Sequence, residues 1–167
     1  RRRPVSMGRV AVSQMPPDGN ALFELYRQAL IGLPVADAWR GYGSAIFLEF
    51  GKLTEHRKPD GSPGQSTGEI TLMIEWTWRI ERSNAIACGS WGNEELWEVW
   101  LNRCTGQQVA DVQTFGRLPE IMVSTSNDIH ILSFATTEGQ PEWSLLDRRP
   151  DRLPNLIVSD GVLTAED

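Results

Sequence analysis

The sequence predicts an α+β fold: two tandem repeats, each a helix followed by a small antiparallel sheet, packed as one pseudo-symmetric body. Three observations predict it. First, LFELYRQALIGLPVADA (22–38) aligns without a gap to LWEVWLNRCTGQQVADV (96–112), 74 residues further on. Leu22, Glu24, Gly32, Val35, Ala36 and Asp37 recur as Leu96, Glu98, Gly106, Val109, Ala110 and Asp111, six identities in seventeen positions. Phe23/Trp97, Tyr26/Trp100, Leu25/Val99 and Ala38/Val112 keep the same character. Second, each copy opens with apolar residues at three- and four-residue steps and then meets a glycine. Third, runs of strict apolar–polar alternation follow.

Taken in chain order, the first helix carries the stripe Leu22, Leu25, Tyr26, Ala29 and Leu30, with Asn20 as its expected N-cap. Gly32 suits the left-handed residue that closes a helix, and Pro34 forbids continuation. A strand then starts at V-A-D, and GYG (41–43) reads as the turn after it. SAIFLEF (44–50) places Ile46, Leu48 and Phe50 on one face. The 17-residue loop GKLTEHRKPDGSPGQST (51–67) leads into GEITLMIEWTWRIE (68–81). There Ile70, Leu72, Ile74, Trp76, Trp78 and Ile80 alternate with polar residues, the pattern of one strand with one buried side. Both indoles are therefore expected to pack inward, against the second helix.

That helix has the stripe Leu96, Trp97, Trp100, Leu101 and Cys104. Asn93 is its expected cap, and Glu94 and Glu95 lie where the helix dipole favours negative charge. EIMVSTS (120–126) and IHILSFA (129–135) read as a hairpin turning at Asn127–Asp128, and a further strand includes Trp143 and Leu145. Asp160–Gly161 marks a small hairpin in the proline-broken end of the chain. The expected divisions are a flexible arm over 1–16, a first repeat over 17–92, a second over 93–148 and a tail over 149–167. Each half is expected to carry its own sheet, or the strands to merge into one.

Composition narrows function mainly by exclusion. The chain has 167 residues, 40% of them hydrophobic, with seven tryptophans, enough for a globular core. Its net charge is −6. Arg1, Arg2, Arg3 and Arg9 put four positive charges and no acid into residues 1–13, so the remainder carries −10. An acidic body repels nucleic-acid phosphates and favours a basic protein partner. No apolar run has the roughly 20 residues that span a bilayer. A cytoplasmic protein with no membrane association is the expectation. Cys88 and Cys104 lack C-x-x-C spacing and read as reduced, buried thiols.

No catalytic, phosphate-cradling or metal-binding motif is legible. There is no G-x-S-x-G and no G-x-x-x-x-G-K-[ST]. The two histidines, His56 and His130, have no ligand-like spacing, so neither a metal nor a cofactor is expected. Asp37 and Asp111, recurring after each V-A, read as acceptors of backbone N–H bonds in a turn. Loop 51–67 is the strongest candidate for binding, because long loops in compact domains are commonly functional. It brings His56, Arg57 and Lys58. Glu75 and Arg79, on the polar side of the next strand, and Trp78 at its end complete the candidate ligand- or partner-binding set.

The run IFLEFGKLTEHRKPDGSPGQSTGEITLMIEWTWRIE, followed by GSW and later by TGQQVADV, resembles a family of uncharacterised bacterial proteins. Their shared pattern is a strand ending L-E-F-G, a P-D-G-S-P-G loop and a G-E-x-T-L-M-I-E-W strand, covering about residues 20–148 here. The resemblance implies a shared fold and a bacterial source, with a distant likeness to small immunity-type proteins, and it carries no established chemistry. The expected function is a non-enzymatic binding protein of the immunity or inhibitor type. The alternatives are a small-ligand binder or modest enzyme with a site under loop 51–67, and an oligomer-forming accessory protein using its strand edges.

Overall fold

Both helices stop at a glycine in the left-handed region, Gly32 at φ 87° and Gly106 at φ 86°, where a side chain would be strained. These are features of a computed structural model that describes residues 17–138 and 143–167. Helix α1 spans Gly19–Leu30 and helix α2 spans Glu95–Cys104. From the two glycines the chain passes into β1 (Val35–Arg40) and β6 (Val109–Phe115). The segments leading into β1 and β6 grip each other reciprocally. Gly32 N–H donates to the Val109 carbonyl at 2.8 Å, and Gly106 N–H to the Val35 carbonyl at 2.8 Å. Val35 N–H donates to Gln107 at 2.7 Å, and Val109 N–H to Leu33 at 2.9 Å. Pro34 faces Gln108 in an antiparallel bridge between them.

Strands β1 and β6 carry a bulge at the same place, between Val35 and Asp37 and between Val109 and Asp111. Each aspartate accepts the next backbone N–H, Ala38 or Val112, at 2.9 Å. That is the structural role the sequence suggests for Asp37 and Asp111.

The remaining strands are β2 (Ile46–Phe50), β3 (Ile70–Ile74), β4 (Trp78–Arg82), β5 (Ala85–Gly89), β7 (Glu120–Thr125), β8 (Ile129–Ser133), β9 (Trp143–Asp147), β10 (Asn155–Ser159) and β11 (Val162–Glu166). Among the described residues the strands form two antiparallel sheets, one ordered β1-β2-β3-β9-β10-β11 and the other β5-β4-β8-β7-β6. The fold is thus mixed helix and sheet, and mostly β. Neither half keeps a sheet to itself: β3 pairs with β9, and β8 pairs with β4. The expectation of one sheet per half, or of a single merged sheet, is corrected in this respect. Alternation patterns fix which face of a strand is buried and say nothing about its neighbour.

The run 68–81 is two strands, not one. The chain leaves the first sheet at Ile74 and joins the second at Trp78. In the three-residue crossover the period of two slips: Thr77 turns inward and donates its hydroxyl to the Phe134 carbonyl, while Trp76 turns outward. Trp78 is 2% exposed and Trp76 is 47% exposed, so the inward reading holds for Trp78 and fails for Trp76. Trp78 packs edge-on against Trp97 of α2, centroids 5.2 Å apart, as the sequence suggests. Trp143 does the same on the other side, edge-on to Phe23 of α1 at 6.3 Å. Both indoles also donate to a carbonyl in the preceding hairpin turn, Trp78 to Ser44 at 2.6 Å and Trp143 to Pro119 at 3.0 Å.

Helix α1 lies against β6, β10 and β11, and α2 against β1 and β5. Each helix therefore bridges an edge of one sheet to an edge of the other. Leu22, Phe23, Tyr26 and Leu30 of α1 and Trp97, Leu101 and Cys104 of α2 join one core with the inner faces of both sheets. Each large side chain so buried contributes roughly 1.5–3 kcal/mol. Phe23 takes the place expected for Leu25, which is exposed. The first cap is Asp18, which accepts Ala21 N–H at 2.8 Å, and not Asn20, which lies inside the helix. The cap of α2 is Glu94, whose side chain makes no capping bond; Asn93, one residue earlier than the cap position, accepts Glu95 N–H at 3.0 Å.

Strand β5 was not legible as a strand: it is a half-exposed edge with little alternation. The hairpin at Asp160–Gly161 forms, and its strands extend the first sheet through β9. Burial pushes the Cys88 thiol up to about 11. Burial, with the neighbouring Cys88, pushes Cys104 up to about 12. The arm expected over residues 1–16 lies outside the described residues. Among the described residues no helix is long and apolar enough to cross a membrane.

Candidate functional site

The crossover between β3 and β4 is held from one side by the β1–β2 turn. Ser44 donates its hydroxyl to the Trp76 carbonyl at 2.7 Å, and its own carbonyl accepts the Trp78 indole N–H. This double tie sets the turn and the crossover side by side with a recess between them. The recess has a volume of about 380 Å³, within the size of small-ligand pockets. Tyr42, fully exposed at 100%, and Trp76 form its lips. Phe47 and Met73, cross-strand partners on the outer face of β2 and β3, form its floor. Phe47 is itself braced by Trp39, stacked at 4.1 Å and 6°.

One charged group faces this apolar recess. Glu75 continues the outer face from Met73 and lines the wall. Burial raises its pKa, and among the described residues no hydrogen bond or opposite charge offsets that. A half-buried carboxylate without a partner is energetically costly, and such costs concentrate at binding sites.

A second recess of about 300 Å³ lies on the other side of the crossover, lined in part by Trp78, Arg79, Ile86, Trp91 and Phe134. Trp91 is 82% exposed. Arg79 is already engaged: it lies over the Phe134 ring at 4.3 Å and pairs with Glu81 at 2.6 Å.

Loop 51–67 is a hydrogen-bonded hairpin that extends β2 and β3. Thr54 and Thr67 exchange backbone bonds at 2.7 and 3.0 Å, and Gly64 N–H donates to the His56 carbonyl at 2.7 Å. His56 Nε2 is 2.8 Å from the Thr67 hydroxyl, and Arg57 donates to the Gly61 carbonyl at 2.9 Å. Lys58 lies near the tip, where its N–H donates to the Ser62 carbonyl. His56 and Arg57 line a cavity of about 170 Å³.

The expected site residues therefore fall into three places. His56, Arg57 and Lys58 lie beyond the Ile70 end of β3; Glu75, Trp78 and Arg79 lie beyond its Ile74 end, at least about 13 Å away at the rise of a strand. Glu75 and Trp78 then look into different recesses on the two sides of the crossover. The sequence reading missed Tyr42, Phe47 and Met73. A lone tyrosine between two glycines in GYG was the available hint, because a turn gives such a ring nothing to pack on.

Sequence reading also missed a Ser124–His130–Asp128 chain. Ser124 Oγ is 2.7 Å from His130 Nδ1, and His130 Nε2 is 2.9 Å from Asp128. Ser124 and His130 are cross-strand partners, a proximity that only the register supplies. Ser124 lies on β7, an interior strand between β6 and β8. Its neighbouring backbone N–H groups belong to the ladders with β6 and β8, so the backbone around Ser124 offers no free donor pair for an oxyanion. Among the described residues no cluster of three or more His, Cys, Asp or Glu is placed to hold a metal ion.

No protein-family model, curated protein or solved structure matches this chain.

Proposed function

We propose that this is a binding protein acting without catalysis, of the immunity or inhibitor type, whose recognition surface is the outer face around the β3–β4 crossover. The observation that carries this reading is the recess between Tyr42 and Trp76, where exposed aromatic rings flank a carboxylate that has no partner among the described residues. Monomeric proteins rarely expose such groups together without a use for them, and Tyr and Trp dominate the energetics of protein interfaces. The net charge of −6 favours a basic protein as the partner.

The loop reading has less support, because His56 and Arg57 are held by hydrogen bonds within their own hairpin. The reading of the chain as two tandem helix-and-sheet repeats is also our proposal. The reciprocal bonds at Gly32 and Gly106, the matched bulges and the matched roles of Trp78 and Trp143 support it.

Immobilised chain and its Tyr42→Ala/Trp76→Ala variant, exposed to an extract of the source cells, test the function. A basic protein retained by the first and lost by the second is the expected result. Equal retention by both, or none by either, overturns the proposal.

A further inference from the structure

We infer that the recess beside Glu75 is a site for an organic cation: a positively charged ammonium or guanidinium head carried on an apolar stem. The inference rests on the recess alone and stands whether or not a protein delivers the cation.

Three features combine. The lips, Tyr42 and Trp76, and Phe47 in the floor are aromatic, and the negative π surface of such rings attracts cations. The floor, Phe47 with Met73, is apolar and suits a hydrocarbon stem. The one ionisable carboxylate in the lining is Glu75, and it has no cation of its own among the described residues. The arginines around the crossover are committed elsewhere: Arg79 pairs with Glu81, and Arg40 pairs with Glu94 at 3.2 Å and lies over Trp97. An anion would be repelled by Glu75. A neutral apolar ligand would leave the carboxylate desolvated without compensation. A cation on a short stem satisfies every wall at once.

The test uses the full chain and follows backbone and indole resonances by NMR. The probes are butyltrimethylammonium, butylguanidinium, 1-butanol and pentanoate. The two cations are expected to shift the Trp76 indole and the Glu75 amide, with saturable binding, and the alcohol and the anion are not. Glu75→Gln is expected to weaken cation binding about fivefold, and Tyr42→Ala by a similar factor. Tyr42 is fully exposed, so its removal leaves the fold intact. A short lysyl peptide distinguishes the source: shifts at the same residues assign the site to a partner's side chain, and shifts with the free cations alone assign it to a small molecule. Equal response to butanol and to the cations, or undiminished binding by Glu75→Gln, overturns the inference.

Discussion

Among the described residues the chain crosses between its two sheets twice, and the two crossings are alike where they land and unlike where they travel. Both end on a buried indole, Trp78 or Trp143, that donates to the preceding hairpin turn and packs edge-on against an aromatic residue of a helix. The first crossing takes three residues, 75–77, and the second takes nine, 134–142. Among the described residues, only the first places an outward indole and an unpartnered carboxylate beside an exposed tyrosine. Features held in common serve the fold, because both sheets need the same corner filled. Among the described residues, the outward indole and the carboxylate of the first crossing do not fill that corner, which favours a binding role for them.

The landings should be equivalent and costly to disturb. Trp78→Ala and Trp143→Ala should each destabilise the protein by about 3–5 kcal/mol, the range for truncating a large buried aromatic side chain. Urea unfolding of both variants checks this, and a small effect for one against a large effect for the other would break the equivalence.

The next effect lies at the far ends of the landing strands, where the comparison fails. Strand β9 ends in Asp147, 4% exposed, which takes a two-pronged bond from Arg149 and the backbone N–H of Leu153 at 2.9 Å. Strand β4 ends in exposed Arg82. Burial alone would push the Asp147 carboxyl up, but the Arg149 and backbone bonds outweigh it and hold it below the usual carboxylate range. A depressed folded pKa contributes stability above the unfolded value, and that contribution disappears as pH falls through the folded value. Asp147→Ala should cost about 3 kcal/mol at neutral pH, since Arg149 loses its partner. Asp147→Asn should flatten the fall in stability below about pH 4 relative to the parent chain. Unfolding measured from neutral to acid pH checks both, and an unchanged acid slope would count against the account.

Much of the frame was legible. Helix ends followed from Gly32 and Gly106, because an unstrained left-handed turn leaves few residues to choose from. The acceptor role of Asp37 and Asp111 was legible from their recurrence after V-A, although they sit at strand bulges and not in turns. The pairing of β3 with β9 was not legible, since both strands read as apolar alternation and nothing local encodes a partner about 70 residues away. The same blindness joined residues 68–81 into one strand: alternation of Ile74, Trp76 and Trp78 survives a sheet change that reverses what the middle residue faces. The site was half legible. Glu75, Trp78 and Arg79 do border the crossover recesses, while Tyr42, Phe47 and Met73 reach the site through tertiary contacts. The basic loop residues were drawn from a different end of the molecule.

The most direct test asks whether the aromatic lips of the recess are dispensable to the fold. It is the unfolding free energy of Tyr42→Ala/Trp76→Ala against the parent chain, by urea denaturation. The account predicts a difference within about 1 kcal/mol and an unchanged slope, as for exposed substitutions. A loss of about 3 kcal/mol or more, the cost of a buried aromatic, would make these rings part of the core and contradict the assignment of the recess to binding.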